Sequence, residues 1–452
     1  MILSNFFLIL LINYISLLNS KVVIPFQIKN YKHEKGDKEF ILNYFYKDLI
    51  VNILVGTPPQ QISLAACLGE YNTFILGKNC KGYDKGKYNE SNSQTYLSIE
   101  NSQMFVFEVY SNGNFSKDVF KFGNNVIDDY HFINAVEMNG DYNCWEAYCE
   151  IITEPGILGL LMQPHRNAEY NFTEYNFINQ LKRKDLISRY DFYFDFNSND
   201  SGNIIIGSLP NETDNEFYKD KTFSTIKVSL GEFTLDYAFS FDNVYYGEEK
   251  IEDDVKKDYI IRAEFGFIKG SQEMKKVFDN NFFNYVNKSC FRKNTNEFGS
   301  SFYYYYCNKD ANLDIFKDWK FTINNFETNF TLTKDDLFLD IGDKYIFLMG
   351  FGYGSKLILG YPFLKKYKII FNQDSKTLGY FHKSNELEPE ENKFHVGYII
   401  IIAILFIILI GLGVIGFAYF SKYKKKKKMA KELSEENDTK NNNEGLIPNE
   451  NN

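Results

Sequence analysis

Short runs of β-branched and aromatic residues recur along most of the chain, each bounded by Gly, Asn or Asp. Examples are LIVNILV (Leu49–Val55), MFVFEVY (Met104–Tyr110), DFYFDF (Asp191–Phe196), NIIIGS (Asn203–Ser208), YIFLMGF (Tyr345–Phe351) and YKIIF (Tyr367–Phe371). Runs of this length between turn-forming residues predict strands. Two stretches read as helices instead, YNFINQLKRKDLI (Tyr175–Ile187) and SQEMKKVFDNNFFNYV (Ser271–Val286). The expected fold is mainly β.

The two ends break this rhythm. Met1 to Ser20 is an apolar run closing on small polar residues, the form of a secretory signal peptide, although its first residues lack positive charge. Val396 to Phe420 holds 25 residues and no charge. As a helix it would reach roughly 37 Å, more than a hydrocarbon core of about 30 Å. A lysine run, SKYKKKKKMAK, follows at once and marks the cytosolic side. The expectation is a type I single-pass membrane protein. Residues 1–20 form the signal, 21–200 and 201–390 two lumenal or extracellular lobes, 396–420 the span, and 421–452 a basic and polar tail.

At 452 residues the chain is long enough for two lobes with a large core. With a net charge of −9, no nucleic-acid footprint appears outside the one lysine run near the far end. The 44 Phe and 34 Tyr accompany heavy use of Asn, Lys and Ile, which points to biased base composition before an aromatic binding surface. Glycan acceptor sequences stand at Asn89, Asn114, Asn171, Asn199, Asn211, Asn287 and Asn329. Six cysteines suit an oxidising compartment. Cys144 and Cys149 have the spacing of a small stapled loop, and Cys290 and Cys307 bracket a Tyr-rich segment. No histidine lies near the first pair, so no metal site is expected there. The glycine-rich GFGYG (Gly350–Gly354) lacks the spacing of a phosphate loop and is expected to form a hairpin.

YKDLIVNILVGTPPQQISLAACLG (Tyr46–Gly69) resembles the opening of a pepsin-like aspartic protease. FEVYSNGNFSKDVFKFG, EPGILGLLMQP, FINQLKRKDLISRYDFYFDF, NIIIGSLP, WKFTINNFETNFTLTKDDLFL and LILGYPFLKKYKIIFNQDSKTLGYF follow in that family's order. The similarity spans about Tyr46 to His382 and implies a bilobed acid-protease fold with a cleft between the lobes. It implies no cofactor. Catalysis in that family takes one Asp-Thr-Gly or Asp-Ser-Gly turn from each lobe; the two carboxylates share a proton and activate a water.

In the first lobe the family's aspartate falls on Cys67, its hydroxyl residue on Leu68 and its glycine on Gly69. In the second, placing Gly266 on the family's glycine puts Glu264 on the aspartate, and a shift of one puts Ala263 there. Both catalytic positions are degraded in either alignment. Asp-x-Gly triplets at Asp200 and Asp340 read as ordinary turns. A cysteine nucleophile needs a base, and none of the five histidines, His33, His131, His165, His382 and His395, lies near Cys67 in sequence. Cys67 paired with Cys80 is a further possibility that the resemblance disfavours. Tyr110 falls on the family's flap tyrosine, which covers bound peptide. The function expected is therefore that of a membrane-anchored pseudoprotease binding a peptide or protein ligand in its cleft. The rivals are an active aspartic endopeptidase with an altered dyad and an adhesive surface glycoprotein.

Overall fold

The computed structural model describes residues 21–29, 43–45, 47–81, 88–106, 109–139, 154–162, 175–213, 215–228, 237–251, 257–295, 302–323, 329–352 and 357–383, together with Lys422, Lys424 and Lys427. The signal and span predicted at 1–20 and 396–420, and Cys144, Cys149 and Asn171, lie outside them. Residues 1–385 form one compact unit and 386–452 another. Among the described residues no helix is long and apolar enough to cross a membrane.

The first unit is mainly β, as its punctuated apolar runs require. Among the described residues its strands form sheets of thirteen, eight and four. Strand Leu49–Val55 matches its predicted run: Leu49, Val51, Ile53 and Val55 are buried while Asn52 and Leu54 face out, the period of two of a half-buried strand. Both predicted helices form. Asn176 caps Phe177–Arg183 by accepting from the Asn179 N–H, and Ser271 caps Gln272–Phe278 by accepting from the Met274 N–H. The second helix continues into a wider turn over Asp279–Phe283.

The thirteen-stranded sheet takes strands from both halves of the sequence. Lys221–Lys227, Thr377–Lys383 and Ile370–Asn372 lie at one end and lead through Asp191–Phe196, Ser201–Ile206 and Val22–Ile28 into the first-half strands. Phenylalanine and tyrosine fill the cores. Phe278 alone touches the rings of Tyr246, Phe316, Trp319, Phe347 and Phe351. Among the described residues the phenylalanines and tyrosines are largely interior. Cys290 and Cys307 face each other across Cys290–Thr295 and Phe302–Asn308 and form a disulfide.

The two halves repeat one strand pattern. In the first, Gln60–Cys67 runs parallel to Gly156–Gly159, which runs antiparallel to Phe74–Lys81, which runs parallel to Asn125–Asn139. In the second, Asp258–Ile261, Leu357–Leu359, Ile268–Gly270 and Lys344–Gly352 pair in the same order and with the same directions. This overturns the hairpin expected at GFGYG. Leu357–Leu359 does not return beside Lys344–Gly352, because Ile268–Gly270 lies between them. A local glycine cluster permits a reversal, but the neighbour a strand takes is set by which buried faces match, and here that neighbour comes from far away in sequence.

Candidate functional site

The repeat brings two turns to the same place in their respective halves. Ala65 pairs with Ile157, and Phe74 lies against the same Ile157 from the other side. Ile260 pairs with Ile358, and Lys269 lies on that residue's other side. Phe74 lies nine positions after Ala65, and Lys269 nine positions after Ile260, so the turns have equal length. Cys67 therefore corresponds to Arg262, Leu68 to Ala263, and Gly69 to Glu264.

This register corrects the second-lobe expectation, which set Glu264 or Ala263 opposite Cys67. Counting from Gly266 misled because that glycine answers a different need. A Cβ there would sit 2.4 Å from the Tyr44 carbonyl oxygen, and the Gly266 N–H donates to the Phe45 carbonyl at 3.0 Å. It makes room for the segment that leads into strand Leu49–Val55 and is not the turn glycine. The Glu264 carbonyl, meanwhile, accepts from the Lys47 N–H at 2.8 Å. The signal that could have found Arg262 was the apolar run Tyr259–Ile261, whose end marks the start of the turn.

The side chains of the two turns meet. The Cys67 thiol donates to Glu264 Oε1 at 3.6 Å and its sulfur accepts from the Gly69 N–H at 3.2 Å. Arg262 Nη1 lies 3.7 Å from the same Glu264 oxygen, with the two side chains only 10% and 12% exposed. The first turn is pinned by the Leu160 N–H donating to the Cys67 carbonyl at 2.9 Å and the Leu161 N–H donating to that of Glu70 at 2.7 Å. Leu68 and Ala263 are fully buried. They put two apolar side chains where the resemblance implied hydroxyls.

Burial sets the electrostatics. It pushes the Cys67 thiol well above its ordinary range, and the charge of Glu264 pushes the same way, with Arg262 opposing. Burial also raises the Glu264 carboxyl. The Arg262 charge resists this most strongly, followed by hydrogen bonds from the Glu264 N–H, the Cys67 thiol and the Leu68 N–H. Arg262 stays charged under all ordinary conditions. The two turns thus bring together a neutral thiol, a permanent cation and the Glu264 carboxyl. Glu70, also buried, adds negative charge at the thiol.

Other expected sites divide clearly. Cys67 and Cys80 are both free thiols and do not pair. His131 lies against the Tyr175 ring and His382 bonds Ser224, so both described histidines are engaged elsewhere. Asp200 sits in the exposed turn after Asp191–Phe196, and Asp340 pairs with Lys309 and accepts from the Gly342 N–H. Neither belongs to the cluster. Tyr110 lies on strand Val109–Phe122, between Phe105 and Asn139; its side chain lies outside the described ones. Among the described residues no group of His, Cys, Asp or Glu has the arrangement of a metal site. Of the acceptor asparagines, Asn199, Asn287 and Asn329 are exposed, Asn89 is half-buried, and Asn211 keeps its Oδ1 buried. Asn114 lies on an interior strand with Ser116 fully buried two residues on.

A family model described as Eukaryotic aspartyl protease matches residues 48–382. No curated protein matches the chain.

Proposed function

The chain belongs to the eukaryotic aspartyl protease family, and from that premise we propose that it is a catalytically inactive, membrane-anchored member that binds peptide or protein between its lobes. The observation that carries this reading is the occupancy of the two turn positions by Cys67 and Arg262. A carboxylate pair works because one member takes a proton from water while the other, protonated, polarises the scissile carbonyl. Arg262 has no proton to exchange near neutral or acidic pH, and the desolvated Cys67 thiol is a poor base. Glu264 touches both side chains, and its oxygen faces the guanidinium.

The preserved strand frame around these turns supports binding as the retained role. Anchoring is supported by the uncharged run 396–420 and the lysines that follow it. The bulk of the chain then faces the lumen or cell exterior.

The test is to express the full chain in membranes and assay a fluorogenic peptide library from about pH 3 to 7, the range in which a carboxylate pair operates. No turnover is expected, together with saturable retention of a subset of peptides. Pepstatin-sensitive cleavage would remove the reading and favour an altered dyad. In that case Glu264→Gln should abolish the activity, since Glu264 is the carboxyl that the Cys67 thiol and the Arg262 guanidinium both face. Absence of both cleavage and peptide retention would leave an adhesive surface protein.

A further inference from the structure

Resting on the anchored reading above, we propose that the aromatic and lysine surface beside the unit's last strand lies on the lipid–water interface of the membrane that anchors the chain. Strand Lys221–Lys227 pairs with Thr377–Lys383 in unbroken register, from Lys221 opposite Lys383 to Lys227 opposite Thr377. Alternation then puts Lys221, Phe223, Phe381 and Lys383 on one face. The opposite face is turned inward: His382 and Tyr380 are buried, and Ser224 bonds His382 at 2.8 Å.

On the outer face the rings form a continuous row. Phe223 and Phe381 lie 4.9 Å apart, Tyr218 and Phe381 4.8 Å, and Phe217 and Tyr218 4.8 Å. Lys221 Nζ sits 3.2 Å from the Phe217 ring centre. Tyr218 is buried and Phe381 half-buried against Leu209 and Ile370, which leaves Phe217, 58% exposed, and Phe223, 36% exposed, as the rings at the surface. Lys219 and Lys383 are exposed beside them, as are Glu216 and Asp220. Apolar rings under long amphipathic lysines suit a boundary where one side is hydrocarbon and the other wet. The balancing acidic residues favour a zwitterionic headgroup layer over a strongly anionic one.

The tether makes lipid the occupant. Lys383 ends the last strand, and the uncharged run begins at Val396, leaving residues 384–395 between them. Fully extended, those twelve residues span at most about 43 Å. On the anchored reading, that length is the farthest the end of this strand can stand from the start of the span. A tethered surface needs only weak intrinsic affinity to stay docked.

The experiment uses the full chain in nanodiscs of phosphatidylcholine, with or without bromine on the acyl chains. Phe217→Trp and, independently, Phe223→Trp place an indole on the patch, each keeping an aromatic ring at a position that reaches the surface. Emission of the unsubstituted protein is subtracted. The expected result is loss of the added emission in brominated discs for both variants. Protein that incorporates into the discs but shows no such loss overturns the docking and leaves the anchored reading intact. Protein that fails to incorporate overturns both.

Discussion

Replacing Arg262 with Met keeps most of the stem but removes the guanidinium from Glu264. At an effective dielectric near 20, unit charges 3.7 Å apart attract by about 4.5 kcal/mol. Breaking such a buried pair from one side typically costs about 3–5 kcal/mol, because the remaining charge is stranded. Glu264 has an escape, which is to bind a proton. Holding a carboxyl with an unfolded pKa near 4.3 neutral at pH 7 spans about 2.7 pH units and costs about 3.7 kcal/mol. That figure caps the electrostatic loss at pH 7, and at pH 4.5 the same route costs less than about 1 kcal/mol. The sign follows from linkage. The folded-state pKa of Glu264 is already raised, so its contribution is present below the unfolded value and is lost as pH rises through the folded one. Removing Arg262, the strongest opposing influence, raises the folded pKa further. Arg262→Met should therefore be destabilised by about 3 kcal/mol at pH 7 and far less at pH 4.5. Adding Glu264→Gln should recover most of the loss at pH 7. Urea unfolding at the two pH values measures all three proteins. A loss that is equal at both pH values, or absent at pH 7, would refute the assigned pairing.

Gly69→Ala places a methyl 2.3 Å from Arg262 Nη1 and 3.0 Å from its Cζ. The guanidinium must leave Glu264, at a cost of about 1–3 kcal/mol, and that cost should shrink in the Arg262→Met background when read as a double-mutant cycle. The Cys67 thiol, buried and held neutral, should resist iodoacetamide at pH 8 until denaturant is added; rapid alkylation of the native protein, mapped by mass spectrometry, would show an activated nucleophile instead. With the chain in the secretory route, glycans should occupy exposed Asn287 and Asn329 but leave Asn114 bare. Enzymatic release in heavy-oxygen water marks each occupied site, and a labelled Asn114 would contradict the sheet placement.

Much of the architecture is legible locally. Leu49–Val55 and Asp191–Phe196 form the strands their apolar runs announce, and Asn176 and Ser271 start the two helices as capping residues do. In the first half, Cys67 at the end of a strand and Gly69 two residues on could be placed by counting, because the strand, turn and next strand lie contiguous in sequence. In the second half the same counting failed, since Gly266 is a glycine for the sake of Tyr44 more than two hundred residues earlier.

The order of residues by itself determined a mainly β chain and, through the family resemblance it carries, the expectation of a cysteine at the acidic position of the first turn. These follow from periodicity and from residue identity, which act over a few positions. Only the tertiary structure decided that Arg262 is the counterpart of Cys67, that Glu264 lies against both, and that GFGYG is not a hairpin. Those facts depend on which strand lies beside which, and pairing between distant strands is fixed by matching buried faces across the whole sheet.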